Sequence, residues 1–108
     1  MAYTVEVTSY FARQAKRLLK KYPTLKSELA TLIHSLEVNP ELGTPLGNQC
    51  YKIRLAIASK GKGKSGGARV INHIDIIHTK VYLLCIYDKS EQENITNKEL
   101  KELLSLIP

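Results

Sequence analysis

Two apolar stripes of helical period, parted by a single proline, limit what this chain can fold into. Phe11, Ala15, Leu18, Leu19 and Tyr22 share one helical face, while Arg13, Lys16, Arg17, Lys20 and Lys21 fall mostly elsewhere. Thr8 or Ser9 is placed to cap this helix, and Pro23 closes it. Thr24 is expected to cap a second helix, whose stripe is Leu25, Leu29, Leu32, Ile33 and Leu36 and which fades at Asn39-Pro40. Helices joined by so short a link fold back as an antiparallel hairpin, and its apolar faces need another layer to bury them.

The rest of the chain offers that layer. Residues 3–7 alternate as a strand. The stretch from Asn39 to Gln49, with two prolines and two glycines, reads as a loop. Residues 51–57 then form a clear strand, with Tyr51, Ile53, Leu55 and Ile57 on one side and Lys52 and Arg54 on the other. A Lys-Gly loop is expected over 60–67. Two strands follow at about 68–77 and 80–88, turning near His78-Thr79-Lys80. Thr96-Asn97-Lys98-Glu99 is a capping box, opening a helix with Leu100, Leu103, Leu104 and Ile107 on its apolar face. The order strand, helix, helix, three strands, helix predicts an α+β fold, with a mainly antiparallel sheet packed against the N-terminal helical hairpin. A chain of 108 residues suits one domain, 1–108.

Charge placement narrows the function. Between Leu42 and Ile74 there is no Asp or Glu, while Lys52, Arg54, Lys60, Lys62, Lys64 and Arg69 are all positive. The formal net charge is +6, so by count this segment carries all of it. A solvated surface usually mixes signs, and a segment of one sign suits a polyanion such as nucleic acid. No apolar run is long enough to span a bilayer, and the start reads as neither a basic leader nor a signal core. The expectation is a cytoplasmic protein with no membrane partner, in which Cys50 and Cys85 stay reduced and pack as small apolar residues.

Ala58 to Ser65 fits a relaxed nucleotide-binding P-loop, with Asp88 ending a later strand as a magnesium-binding Asp does. A P-loop needs a helix running on from its Lys-Ser pair, whereas Gly66-Gly67 and a β-branched strand follow here. Lys52 and Arg54 make a more specific constellation. If the loop folds back, Arg69 joins them on one sheet face, with Lys60, Lys62 and Lys64 above. Clustered like charges destabilise a sheet, and a bound phosphate relieves them. Such cations can neutralise the charge that develops when a ribose 2′-OH attacks its neighbouring phosphate, and a crowded lysine can serve as base. No carboxylate cluster suggests a metal nuclease, and His34, His73 and His78 read as structural or exposed. No cofactor and no metal are expected. Tyr87 is read either as a stacking or proton-donating residue or as a core tyrosine, and Lys89 beside it as a further RNA contact.

The element order resembles the RelE toxin fold. Cys50-Tyr51-Lys52-Ile53-Arg54-Leu55 is similar to the RelE strand bearing two catalytic basic residues. Gly67-Ala68-Arg69-Val70-Ile71 is similar to the next strand, whose arginine binds the scissile phosphate. The run from Ala58 to Ile71, with Tyr82-Leu83-Leu84 and Tyr87-Asp88-Lys89-Ser90-Glu91, looks like the HigB-type branch. The resemblance implies an endoribonuclease toxin that cuts messenger RNA in the ribosomal A site without a metal, using Lys52, Arg54 and Arg69. It also implies a cognate antitoxin, through which alone operator DNA would be bound. Two other readings stay open: a ParE-like gyrase inhibitor, and a non-catalytic RNA-binding homologue.

Overall fold

The computed structural model describes residues 2–61 and 63–107, apart from the side chains of Lys64 and Ser65. Strand β1 (Thr4–Val7) leads into helices α1 (Ser9–Lys21) and α2 (Leu25–Val38). A hairpin of β2 (Thr44–Gly47) and β3 (Cys50–Leu55) follows. A 3-10 turn at Ala58–Lys60 and a single helical turn, α3 (Gly63–Gly66), then lead to β4 (Ala68–Asp75), β5 (Lys80–Asp88) and helix α4 (Asn97–Leu104). The sheet order is β1-β5-β4-β3-β2; β1 lies parallel to β5 and every other pair is antiparallel.

The predicted α+β architecture is the observed one. Phe11, Ala15, Leu18, Leu25, Leu29, Leu32 and Leu36 bury the stripes of α1 and α2 against Ile53, Val70, Val81, Leu83 and Ile86 on one face of the sheet. On the other face Leu100 and Leu103 of α4 pack with Cys50, Ile71, Leu84, Cys85 and Tyr87. Thr8 caps α1, its hydroxyl accepting from the Phe11 N–H at 3.2 Å. The Thr96–Glu99 capping box forms in both directions. Between Ile71 and Asn72 the β4–β5 register shifts by one: Ile71 faces Cys85 and Asn72 faces Leu83. The extra residue, Leu84, lets Leu84 and Cys85 both join the α4 side.

Three local expectations are corrected. The stretch read as loop contains β2, because a two-residue turn at Asn48 and Gln49, both at positive φ, pairs Gly47 with Cys50. Such a turn is usually signalled by Asn-Gly, and a glutamine in the second place hides it. Gly43 lets β2 approach closely, since a Cβ there would lie 2.4 Å from the Lys52 carbonyl oxygen. Thr24 does not cap α2 with its side chain; its hydroxyl accepts from the Ser59 N–H at 3.0 Å instead. The Lys-Gly loop follows a 3-10 turn and contains α3, but α3 ends after four residues, so no long helix starts at the Lys-Ser pair. Among the described residues, no helix is long and apolar enough to cross a membrane.

One buried polar residue stands against the packing. Asn72 is fully buried, and neither polar atom of its amide has a hydrogen-bond partner among the described residues. A buried amide without partners costs about 1–3 kcal/mol. Asn72→Leu, nearly equal in volume, is expected to stabilise the protein by about 1–2 kcal/mol in urea unfolding. An unchanged or lower midpoint would show that the amide is satisfied in solution.

Candidate active site

The alternation of β3 puts Ile53 and Leu55 into the core beneath α1 and α2, so Lys52 and Arg54 face the α4 side. On β4, Ala68 and Val70 point into the same helical core, and Arg69 therefore turns to the α4 side as well. The register converts this shared face into proximity. Arg54 pairs with Arg69, and Arg69 pairs with Tyr87, making one row across three strands. Lys52 begins the adjacent row, opposite Ile71. Like charges on directly paired positions of a sheet are unfavourable neighbours.

Accessibility falls along the row. Arg54 is exposed and Lys52 half-buried, whereas Arg69 is 3 % and Tyr87 4 % exposed. Arg69 donates from Nη1 to its neighbour's carbonyl, Ala68 O, at 3.1 Å. The Tyr87 hydroxyl is buried without a hydrogen-bond partner among the described residues. Burial pushes its pKa up, and the charge of Arg69 pulls the other way. Tyr87 also lines a small cavity of about 180 Å³ beneath α4, together with Tyr10, Gln14, Cys85, Glu99 and Leu103.

The segment between β5 and α4 runs beside this face. Lys52 Nζ lies 3.4 Å from Asn94 Oδ1. Lys89, read as a further RNA contact, is half-buried, with Nζ 3.6 Å from Glu93 Oε1. Asn94 could not be found from sequence, because it lies 42 residues from Lys52 and belongs to no motif.

Lys60 departs from its expected role. Instead of presenting its charge above the site, half-buried Lys60 turns its ammonium onto Asp88, which is itself fully buried. The Asp88 carboxylate also accepts from the Tyr22 hydroxyl at 2.5 Å, the Ser90 N–H at 2.9 Å and the Ser90 hydroxyl at 2.7 Å. Asp88 is thus an anchor that ties the 3-10 turn to the end of α1 and the end of β5. Lys62, and the side chain of Lys64, lie outside the described residues.

The remaining candidates do not converge. His34 and His78 sit beside Glu37 and Asp75, at 3.2 and 2.8 Å, and His73 Nδ1 lies 3.6 Å from Cys50 Sγ. Burial pushes the Cys50 thiol up to about 11 and the Cys85 thiol up to about 12, so neither is a thiolate near neutral pH. Among the described residues, no three His, Cys, Asp or Glu side chains gather as metal ligands. What does converge is a cationic row beside a buried phenol, suited to holding a phosphodiester.

Comparison with known proteins relates the chain to a family and the fold to solved structures. The model of the RelE toxin of the RelE/RelB toxin-antitoxin system matches residues 7–107. A double mutant of the E. coli toxin RelE, in the free state, superposes with a TM-score of 0.63 at 19% identity, over 100% of both chains. A chain of the RelBE2 toxin-antitoxin complex from Mycobacterium tuberculosis superposes with a TM-score of 0.62 at 22% identity, covering 82% of this chain and 99% of that one.

The Asp88 anchor predicts a pH dependence. Burial by itself would raise the carboxyl pKa, but hydrogen bonds from Lys60, Tyr22 and Ser90 outweigh it and hold the group well below the usual carboxylate range. A depressed folded pKa contributes stability above the unfolded value of about 3.9, and that stability is lost as pH falls below it. Urea unfolding of the wild type should therefore weaken steadily from about pH 4 downward. Asp88→Asn should be less stable at neutral pH by about 3–5 kcal/mol, because Lys60 loses its partner, and should show a flatter acid limb. Parallel acid limbs in the two proteins would remove Asp88 from this role.

Proposed function

Because the chain belongs to the RelE toxin family, we propose that it is the toxin of a toxin-antitoxin pair and acts as an endoribonuclease on messenger RNA within the ribosome. The observation that carries this reading is the row formed by Arg54, Arg69 and Tyr87, with Lys52 in the adjacent row. Inhibition of a protein such as gyrase needs no phosphate site, whereas arginines and a lysine gathered on one face of paired strands suit a phosphate. The Lys-Gly run before β4 supports placing the chain in the HigB-type branch.

The chemistry follows from the residue types. Arg54 and Arg69 hold the scissile phosphate and neutralise the extra negative charge as the 2′-oxygen bonds to phosphorus. The bond from phosphorus to the 5′-oxygen breaks, leaving a 2′,3′-cyclic phosphate and a 5′-hydroxyl. The proton leaving the 2′-OH needs an acceptor, a role this reading gives to Lys52 in the row beside Arg54. The departing 5′-oxygen needs a proton, which Tyr87 can donate. A phosphate reaching Arg69 would also give the Tyr87 hydroxyl the partner it lacks. Since both are buried, the segment beside Lys52 must yield when substrate enters. The ribosome would supply the positioning that a small basic face lacks. The antitoxin would act as partner and would be the route to operator DNA, and the cytoplasm is the matching compartment.

Induction in a bacterial host, with mapping of messenger 5′ ends on translating ribosomes, tests the reading. Wild-type protein should produce cuts within codons, and Arg69→Ala should abolish them. Growth arrest without cuts would turn the reading towards a protein target. Soluble protein with neither effect would mark a non-catalytic homologue. Tyr87→Phe separates its two roles: the folded protein should be as stable as wild type or slightly more so, while single-turnover cleavage falls by a factor of about 100. Unchanged cleavage would make Tyr87 a core residue.

A further inference from the structure

Counting charges along the chain assigns the whole excess to its middle, but the folded protein distributes it differently. Lys60 is neutralised by Asp88. Helix α1, by contrast, carries Arg13, Lys16, Arg17, Lys20 and Lys21, all exposed, and no acidic residue. Positions 13, 16, 17 and 20 follow the i, i+3, i+4, i+7 rule and form one stripe, which Lys21 widens and which extends about 12 Å along the helix. The acidic residues that balance these charges in the count lie elsewhere, several of them engaged: Glu6 with Lys80, Asp75 with His78, Asp88 with Lys60 and Glu93 with Lys89. Among the described residues, Arg17 pairs with Glu91, and no carboxylate lies within ion-pair distance of Arg13, Lys16, Lys20 or Lys21.

We infer that the exposed face of α1 is a second polyanion surface, separate from the Lys52–Arg54–Arg69 face, that docks the phosphate backbone of folded RNA. Like charges three and four residues apart destabilise a helix, so the stripe is a cost that an anionic partner removes. Its occupant is the backbone and not the bases, because the stripe offers no stacking platform: Tyr22 is buried, and Tyr10 is half-buried under the guanidinium of Arg13. A rigid row of cations without aromatics suits the regularly spaced phosphates of an RNA helix. The stripe and the cleavage face also belong to different elements. Residue Gln14 of α1 accepts from the Ile86 N–H of β5 at 3.1 Å, whereas Lys52 and Arg54 lie on β3, beyond β4. Two separated basic surfaces suit a substrate strand presented within a larger folded RNA. This inference deepens the ribosomal reading above and rests on it for the choice of partner.

The test uses the full chain carrying Arg13→Gln, Lys16→Gln, Lys20→Gln and Lys21→Gln together, which removes repulsion within α1 and leaves the Arg17–Glu91 pair in place. Binding is measured across a salt series to purified ribosomes whose A-site codon carries 2′-deoxyribose, so that no cutting occurs. The variant should bind at least tenfold more weakly at 0.1 M salt, and its slope of log affinity against log salt should shrink by about 3.6, as four lost phosphate contacts on a duplex require. Its cleavage rate on an ordinary messenger at saturating ribosomes should match wild type. Equal affinity and slope would overturn the inference. So would unchanged ribosome binding with lost affinity for the antitoxin, which would give the stripe to an acidic protein. If wild-type protein never cleaves yet binds ribosomes through α1, the nuclease reading fails and the docking surface stands.

Discussion

Strand β5 is dry on both faces, and much of the structure follows from that. Every residue from Val81 to Asp88 is buried, because α1 and α2 cover one side of the sheet and α4 the other. A strand in that position is expected to be apolar throughout, and each polar side chain on it carries a desolvation penalty that something must offset. Tyr87 and Asp88 are adjacent and therefore point to opposite faces. Asp88 meets an ammonium, a phenol, a hydroxyl and a backbone N–H, and becomes a structural anchor. Tyr87 meets no partner among the described residues. The same strand thus ends in one satisfied polar group and one unsatisfied one, and the unsatisfied one sits beside the arginine row.

The Asp88 anchor also sets what flanks that row. It fixes the foot of the Lys-Gly segment through Lys60 and starts the stretch towards α4 through Ser90. The Ala58 N–H donates to Glu28 Oε2 at 2.7 Å, and the Ser59 N–H donates to Thr24, so the first part of the segment is clamped to the start of α2. A cationic face built on paired strands and bounded by clamped segments has little freedom to adapt.

Much of this was legible in the residues themselves. The two helical stripes, the capping box, and the alternation that puts Lys52 and Arg54 on one face are local patterns with periods of 3.6 and 2, so they can be read without knowing what they pack against. Arg69 was expected to join Lys52 and Arg54 by folding back the loop, and the β3–β4 register places it opposite Arg54. The β2 strand escaped notice because its turn uses Asn48-Gln49, which carries no glycine signal.

By itself, then, the sequence determined the three main helices and four of the five strands, their order and which side chains share a strand face, because those depend on neighbours a few residues away. Tertiary structure alone decided which charges remain available. Lys60 is withdrawn by an aspartate 28 residues along, Lys52 is tied to Asn94 across 42, and four of the five cations of α1 have no carboxylate within ion-pair distance among the described residues, although the count outside the middle segment is balanced. The physical reason is that charges cancel by distance in space, and distance between residues far apart in the chain is set by the fold.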